Sequence, residues 1–296
     1  MLGAMRYAVI GFLALLAVAC DTNDYVPYDG LAGKGSFVFG EGVIPRPVTV
    51  FYYVPRSARV TSHVLIVLHG NGRDASDMRD EWVAKAEEYR VLVFAPLFDS
   101  DQYKGSSGYI LGNVFSDAEH PSAADLNPRD EWAFSVIEPL FDEIRARTGV
   151  SAERYDVFGH SAGAQFVHRM VMFAPDGRYD RVVSANAGWY TLPDPAIDYP
   201  YGLGETPVTG DDYFAVPMTI LLGEKDTDPN SSDIRHTPGA DAQGENRFER
   251  GNYFYDESAR LAAERGATFA WTRDTVPGVG HDSAAMGRAA ADMLYR

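Results

Sequence analysis

The sequence predicts an α/β protein: a doubly wound, mostly parallel sheet with antiparallel edge strands at its N-terminal side. Three observations predict it. Residues 63–68, 91–96 and 218–222 are short apolar runs, as strands covered on both faces of a parallel sheet must be. Segments with helical spacing of apolar residues alternate with them, which is the pattern of crossover connections. Two strand-like runs, 36–39 and 48–54, come before the first helix and therefore belong to an antiparallel edge.

Taken in order, residues 20–34 are polar, with Asp, Asn, Pro and Gly, and read as a tether. Gly40, Gly42 and Pro45 mark the turn between the first two strands. The strand at 63–68 runs into His69-Gly70-Asn71-Gly72, and a helix is expected over 78–89. Residues 97–128 lack periodicity, and a segment that long in a compact domain is usually functional. Apolar spacing predicts a helix over 132–144, with a kink or break at Pro139. Strands follow at 154–158 and 182–187, separated by a helix at 165–172. After 218–222 come a second long polar segment to about Gly251, a helix over 252–265, a strand at 268–272 and a closing helix over 284–294. No internal repeat or interdomain linker is visible, so residues 35–296 read as one domain.

Composition narrows the function. Of 296 residues, 46% are hydrophobic and 23% charged, ordinary values for a globular protein with a sizeable core. The formal charge is −16, and Lys and Arg form no cluster, which excludes nucleic acid as a partner. Residues 1–19 have signal-peptide anatomy: Arg6, then an apolar run from Tyr7 to Ala19. Ala17-Val18-Ala19 fits ordinary signal cleavage, whereas Leu16-Ala17-Val18-Ala19-Cys20 resembles a bacterial lipobox with Cys20 as the lipidated residue. Either way export is expected, as a membrane-anchored lipoprotein (periplasmic or cell surface) or as a secreted protein. The membrane is then a partner only through the N-terminal lipid. A single cysteine allows no internal disulfide.

The chemistry centres on Gly159-His160-Ser161-Ala162-Gly163, placed between a strand and a helix. That context is a nucleophile elbow: small neighbours allow a strained turn that lifts the serine oxygen above the sheet edge. A serine hydroxyl needs a base, and His281 follows the last strand within Gly278-Val279-Gly280-His281. The imidazole in turn needs a carboxylate; Asp226 is favoured, with Asp228 as the alternative acid. Either aspartate also reads as a solvated turn residue. The oxyanion hole calls for two N–H donors, expected from Ala162 and Asn71. Trp189 and Tyr190, with Tyr199 and Tyr201 beyond them, can wall a substrate pocket or simply fill the core. Tyr103, Tyr109 and Phe115 carry the same ambiguity. Asp226, Asp228, Asn230 and Asp233 are oxygen-rich, but their spacing matches no EF-hand loop, and no metal is expected.

Together, the pentapeptide at 159–163, His69-Gly70-Asn71-Gly72, Gly223-Glu224-Lys225-Asp226 and Gly280-His281 resemble the α/β-hydrolase superfamily of serine esterases over residues 36–296. The order Ser161, Asp226, His281 is the one that this fold uses. Within it the chain is similar to feruloyl esterases and polyhydroxyalkanoate depolymerases, although those enzymes commonly carry disulfides. The resemblance implies an acyl-enzyme mechanism on a small-molecule or polymeric ester, with no metal or organic cofactor. A serine peptidase on the same fold and a non-catalytic binding protein that retains the fold are the alternatives.

Overall fold

The computed structural model describes residues 30–296. The expected signal peptide, Cys20 and most of the tether lie outside the described residues. The chain runs β1 (Gly33–Phe39), β2 (Val48–Val54), β3 (Val64–Leu68), α1 (Ala75–Glu81), α2 (Val83–Tyr89), β4 (Leu92–Leu97) and a one-turn α3 (Gly105–Gly108). It continues through α4 (Ile137–Thr148), β5 (Tyr155–His160), α5 (Ala162–Phe173), β6 (Tyr179–Ala185), β7 (Met218–Gly223), a short α6 (Pro238–Asp241), α7 (Arg247–Arg265), β8 (Thr272–Val276) and α8 (Ser283–Tyr295).

The strands form one eight-stranded sheet in the order β1-β2-β4-β3-β5-β6-β7-β8. β1 pairs antiparallel with β2, and β2 with β4; every other pairing is parallel. Alternate side chains of the central strands feed two apolar layers. Leu65 and Val67 pack with Met78, Trp82 and Met286 under α1, α2 and α8. Ile66 and Leu68 pack with Phe141, Phe166, Met170 and Phe254 under α4, α5 and α7. α5 is buried along its whole length, and each large apolar side chain removed from water contributes about 1.5–3 kcal/mol. Among the described residues no helix is long and apolar enough to cross a membrane.

Several boundaries differ from expectation for identifiable reasons. The helix expected over 78–89 is two helices meeting at the buried Trp82. Pro139 breaks nothing, because it falls in the first turn of α4, where backbone N–H groups lack intrahelical partners anyway. α7 begins at Arg247, five residues early, because Asn246 caps it: the side chain accepts the Glu249 N–H at 3.0 Å. The last strand is Thr272–Val276 rather than 268–272. Phe269 and Trp271 are apolar because they pack beside Phe214, not because they pair in the sheet. In the segment 97–128, Tyr103, Tyr109 and Phe115 are buried and belong to the core.

The register levels the functional turns. Leu68 lies opposite Gly159, Gly159 opposite Ser184, Ser184 opposite Ile220, and Gly223 opposite Val276. The turns after β3, β5, β7 and β8 therefore emerge at the carboxyl edge of the sheet, where ligands bind in open α/β folds.

Candidate active site

Ser161 sits between β5 and α5 with φ 56° and ψ −114°, a conformation that costs a non-glycine residue on the order of 1–3 kcal/mol. The surroundings hold it there. Its N–H donates to the Ala185 carbonyl at 3.0 Å, and its own carbonyl accepts from Gln165 N at 3.1 Å. The small neighbours are obligatory. A Cβ on Gly159 would lie 2.3 Å from the Gly163 carbonyl oxygen, and one on Gly163 would lie 2.0 Å from that of Leu68.

Ser161 Oγ is 3.0 Å from His281 Nε2, and His281 Nδ1 is 2.6 Å from Asp226 Oδ2. The carboxylate can only accept, so Nδ1 carries the proton and Nε2 is left to accept from the serine hydroxyl. Asp226 is buried by a tight turn in which its N–H donates to the Gly223 carbonyl at 3.0 Å. Asp228 is exposed, and its carboxylate accepts from Asn230 N at 2.9 Å; the carboxylate that meets the imidazole is that of Asp226.

The His281 loop is fastened by a residue that sequence reasoning placed in a strand. Asn186 follows β6 with φ 52°, a left-handed conformation that asparagine tolerates better than most residues. Its Nδ2 donates to the Gly280 carbonyl at 3.0 Å, and its Oδ1 accepts from Gly223 N at 2.8 Å. Lys225 N adds a bond to the Val279 carbonyl at 2.7 Å. Gly223 must lack a side chain, since a Cβ there would meet the Val279 and Gly280 carbonyl oxygens at 2.7 and 2.8 Å.

On the other side, His69 anchors the turn that contains Asn71. Its Nδ1 donates to the Gly70 carbonyl at 2.9 Å, and its Nε2 accepts from Phe98 N at 3.1 Å. Its ring stacks on Tyr109 at 4.5 Å. Burial brings the His69 pKa down to about 4, which keeps this bracing imidazole neutral. Arg73 completes the brace by donating to the carbonyls of Phe98, Tyr103 and Gly105. His160, next to Ser161, is buried with its ring 4.6 Å from that of His281. Burial holds it well below the usual imidazole range.

Ser161, Ala162 and Asn71 line one cavity of about 370 Å³. Trp189 lines it too. Tyr190 does not: it is buried and stacked on Phe254 at 4.4 Å. The expected pocket wall thus reduces to Trp189. The residues that sequence reasoning missed are Gln165, Arg235 and Arg247, all on the cavity wall. Arg247 Nη1 lies 3.4 Å from Asp226 Oδ1, the oxygen turned away from His281, and Arg247 Nη2 lies 2.8 Å from Asp233. Of the possible oxygen-rich group, Asp226 and Asp233 are therefore engaged by a guanidinium. A larger groove of about 690 Å³, lined by Trp132, Phe173 and Tyr213, contains none of these residues.

A linear chain of hydrogen bonds from hydroxyl to imidazole to buried carboxylate, beside two candidate N–H donors, can perform acyl transfer. No family model matches the chain, and no curated protein sequence matches it. Solved structures do. The chain is similar to poly(aspartic acid) hydrolase-1 from Sphingomonas sp. KT-1, with 40% identity and a TM-score of 0.84 over 90% of this chain and 99% of that one. It is similar to LpqC, a poly(3-hydroxybutyrate) depolymerase from Bordetella parapertussis, with 34% identity and a TM-score of 0.82 over 90% and 91% of the two chains. An S-formylglutathione hydrolase from Agrobacterium tumefaciens shares the fold at 16% identity, with a TM-score of 0.57 over 88% and 92% of the chains.

Proposed function

This chain belongs to the α/β-hydrolase family that holds the poly(aspartic acid) hydrolase and the LpqC depolymerase, and from that premise we propose that it cleaves carboxylic esters through an acyl-enzyme on Ser161. The observation that carries the reading is the pair of hydrogen bonds, 3.0 Å from Ser161 to His281 and 2.6 Å from His281 to Asp226. His281 takes the hydroxyl proton as Ser161 Oγ attacks the acyl carbon. Asp226 holds the Nδ1–H tautomer and stabilises the imidazolium. The N–H groups of Ala162 and Asn71 receive the charge that develops on the carbonyl oxygen. His281 then protonates the leaving alcohol, and water repeats the sequence to free the acid.

A second reading is amide cleavage, which the relative named for poly(aspartic acid) supports. Export with lipid on Cys20 is also part of the proposal and rests on the pattern of residues 1–20.

The test is turnover of p-nitrophenyl butyrate and of the matching anilide, with a fluorophosphonate label read by mass spectrometry. The wild type should cleave the ester and carry the label on Ser161. Ser161→Ala should lose both, with kcat down by at least about 10³-fold. Anilide turnover without ester turnover would favour the second reading; no label on Ser161 would leave a binding protein.

A further inference from the structure

Arg247 stands where a cation is least welcome. It is the first residue of α7, and a helix N-terminus carries partial positive charge that favours anions. It is also buried, where an ion loses its hydration. Two carboxylates hold it there: Asp226 Oδ1 lies 3.4 Å from Nη1 and Asp233 Oδ1 lies 2.8 Å from Nη2. A neutral side chain at this position would avoid both costs. Residues that break a local rule in this way concentrate at functional sites, and this one touches the acid that holds His281.

The charges around the imidazole come from several elements. Asp226, in the turn after β7, meets Nδ1 at 2.6 Å. Asp233, in the segment before α6, is close enough to His281 for the two to interact electrostatically. Burial opposes its ionisation, but the Ser231 hydroxyl, donating at 2.6 Å, and the Arg247 guanidinium outweigh burial and bring its pKa down to about 2. Asp233 is therefore an anion wherever His281 titrates. His160, at the end of β5, lies against the ring and is kept neutral by burial. Lys225 and Asp282 are exposed, so water screens them. Glu81 of α1 accepts from Ser283 at 2.8 Å, and Arg250 of α7 is paired with Asp241 at 3.0 Å. Two carboxylates and one guanidinium remain. They leave one net negative charge beside a neutral imidazole and none beside an imidazolium.

We propose that Arg247 is a positioning residue for His281: by bridging Asp226 and Asp233 it cancels one of the two carboxylate charges near the imidazole, and so lets His281 give up its proton and act as a base at lower pH than it otherwise could. The inference rests on the hydrolase reading and deepens it. Two uncompensated carboxylates would favour the imidazolium, which cannot accept the Ser161 proton. Arg247 also occupies Asp226 Oδ1 and leaves Oδ2 to the Nδ1–H of His281, so the same contact that trims the charge orients the acid. Asp233 has the opposite influence: it adds negative charge and draws the guanidinium away from Asp226.

The test is the pH dependence of kcat/KM for p-nitrophenyl butyrate, together with NMR titration of the His281 ring in histidine-labelled protein, its signal assigned as the one missing from His281→Gln. Arg247→Gln should move the acid limb and the NMR midpoint up by about one pH unit, the effect of a charge a few ångströms away. Asp233→Asn should move both down by about as much. The double variant should return both to the wild-type position, and Arg247→Lys, which keeps the charge, should hold them there. Impaired folding lowers the height of a profile; it does not displace it in opposite directions or restore it on combination. A limb that Arg247→Gln leaves in place or lowers, or that the double variant fails to restore, overturns the proposal. If Arg247→Gln does not fold, Asp233→Asn decides, and a midpoint that stays or rises overturns it. If no ester is cleaved and Ser161 takes no fluorophosphonate, the hydrolase reading falls, and the NMR midpoints alone uphold or overturn the influence of Arg247 on His281.

Discussion

Asn186 binds Gly223 with one end of its amide and Gly280 with the other, so a single side chain sets the distance between the turns that carry Asp226 and His281. Asn186→Ala should lower kcat by about 10–100-fold with a smaller change in KM, because a misplaced base loses the transition state rather than the substrate. Steady-state kinetics on an ester substrate will check this. At this scale the sequence is readable where chemistry and backbone coincide. Ser161, flanked by glycines that tolerate no Cβ, announces a strained turn, and Gly278 and Gly280 mark the loop of His281. It is mute where a role depends on direction. Spacing left Asp226 and Asp228 open, and only the tight turn onto Gly223 aims one of them at the imidazole. Nothing in the aromatic pair 189–190 says which ring faces the cavity. Arg247 reaches Asp226 from 21 residues along the chain, a separation without any local pattern.

At the level of elements, α7 shows how one cap serves two purposes. Asn246 satisfies the N–H of Glu249, and the Glu249 carboxylate accepts in return from the Asn246 side-chain amide at 2.8 Å. This fixes Arg247 at the first helical position, beside Asp226. Asn246→Ala should cost about 1 kcal/mol. In a chain of this size that lowers Tm by roughly 2–4 °C, measurable by calorimetry. The N-x-x-E signal was present in the sequence and outweighed by the polar character of the residues around it. β8 teaches the complementary lesson. It is a terminal strand, largely exposed, so its residues are polar and apolar periodicity passes it over in favour of the neighbouring Phe269 and Trp271. The buried strands β3, β4 and β7 were legible because burial on both faces leaves little but apolar side chains.

For the whole molecule, His69, His160 and His168 are all buried within the layers that cover the sheet and are held neutral by that burial. Above the ordinary imidazole pKa of about 6.5 they are neutral folded or unfolded, and stability does not depend on them. As pH falls from about 6.5 towards 4, the unfolded chain binds protons that the folded chain refuses, so stability declines. His69 alone, with its pKa near 4, accounts for about 3 kcal/mol of that decline. The urea midpoint should therefore drop between pH 6.5 and 4, and the slope should be shallower in His69→Gln. The strand order has a different consequence. Ser161 rises from β5 near the middle of the sheet, while His281 hangs from β8, which touches a neighbour on one side only. Warming loosens an outermost ribbon before an interior one, so under the proposed mechanism the setting of Ser161 should outlive that of His281, and catalytic power should fade while most of the architecture still stands.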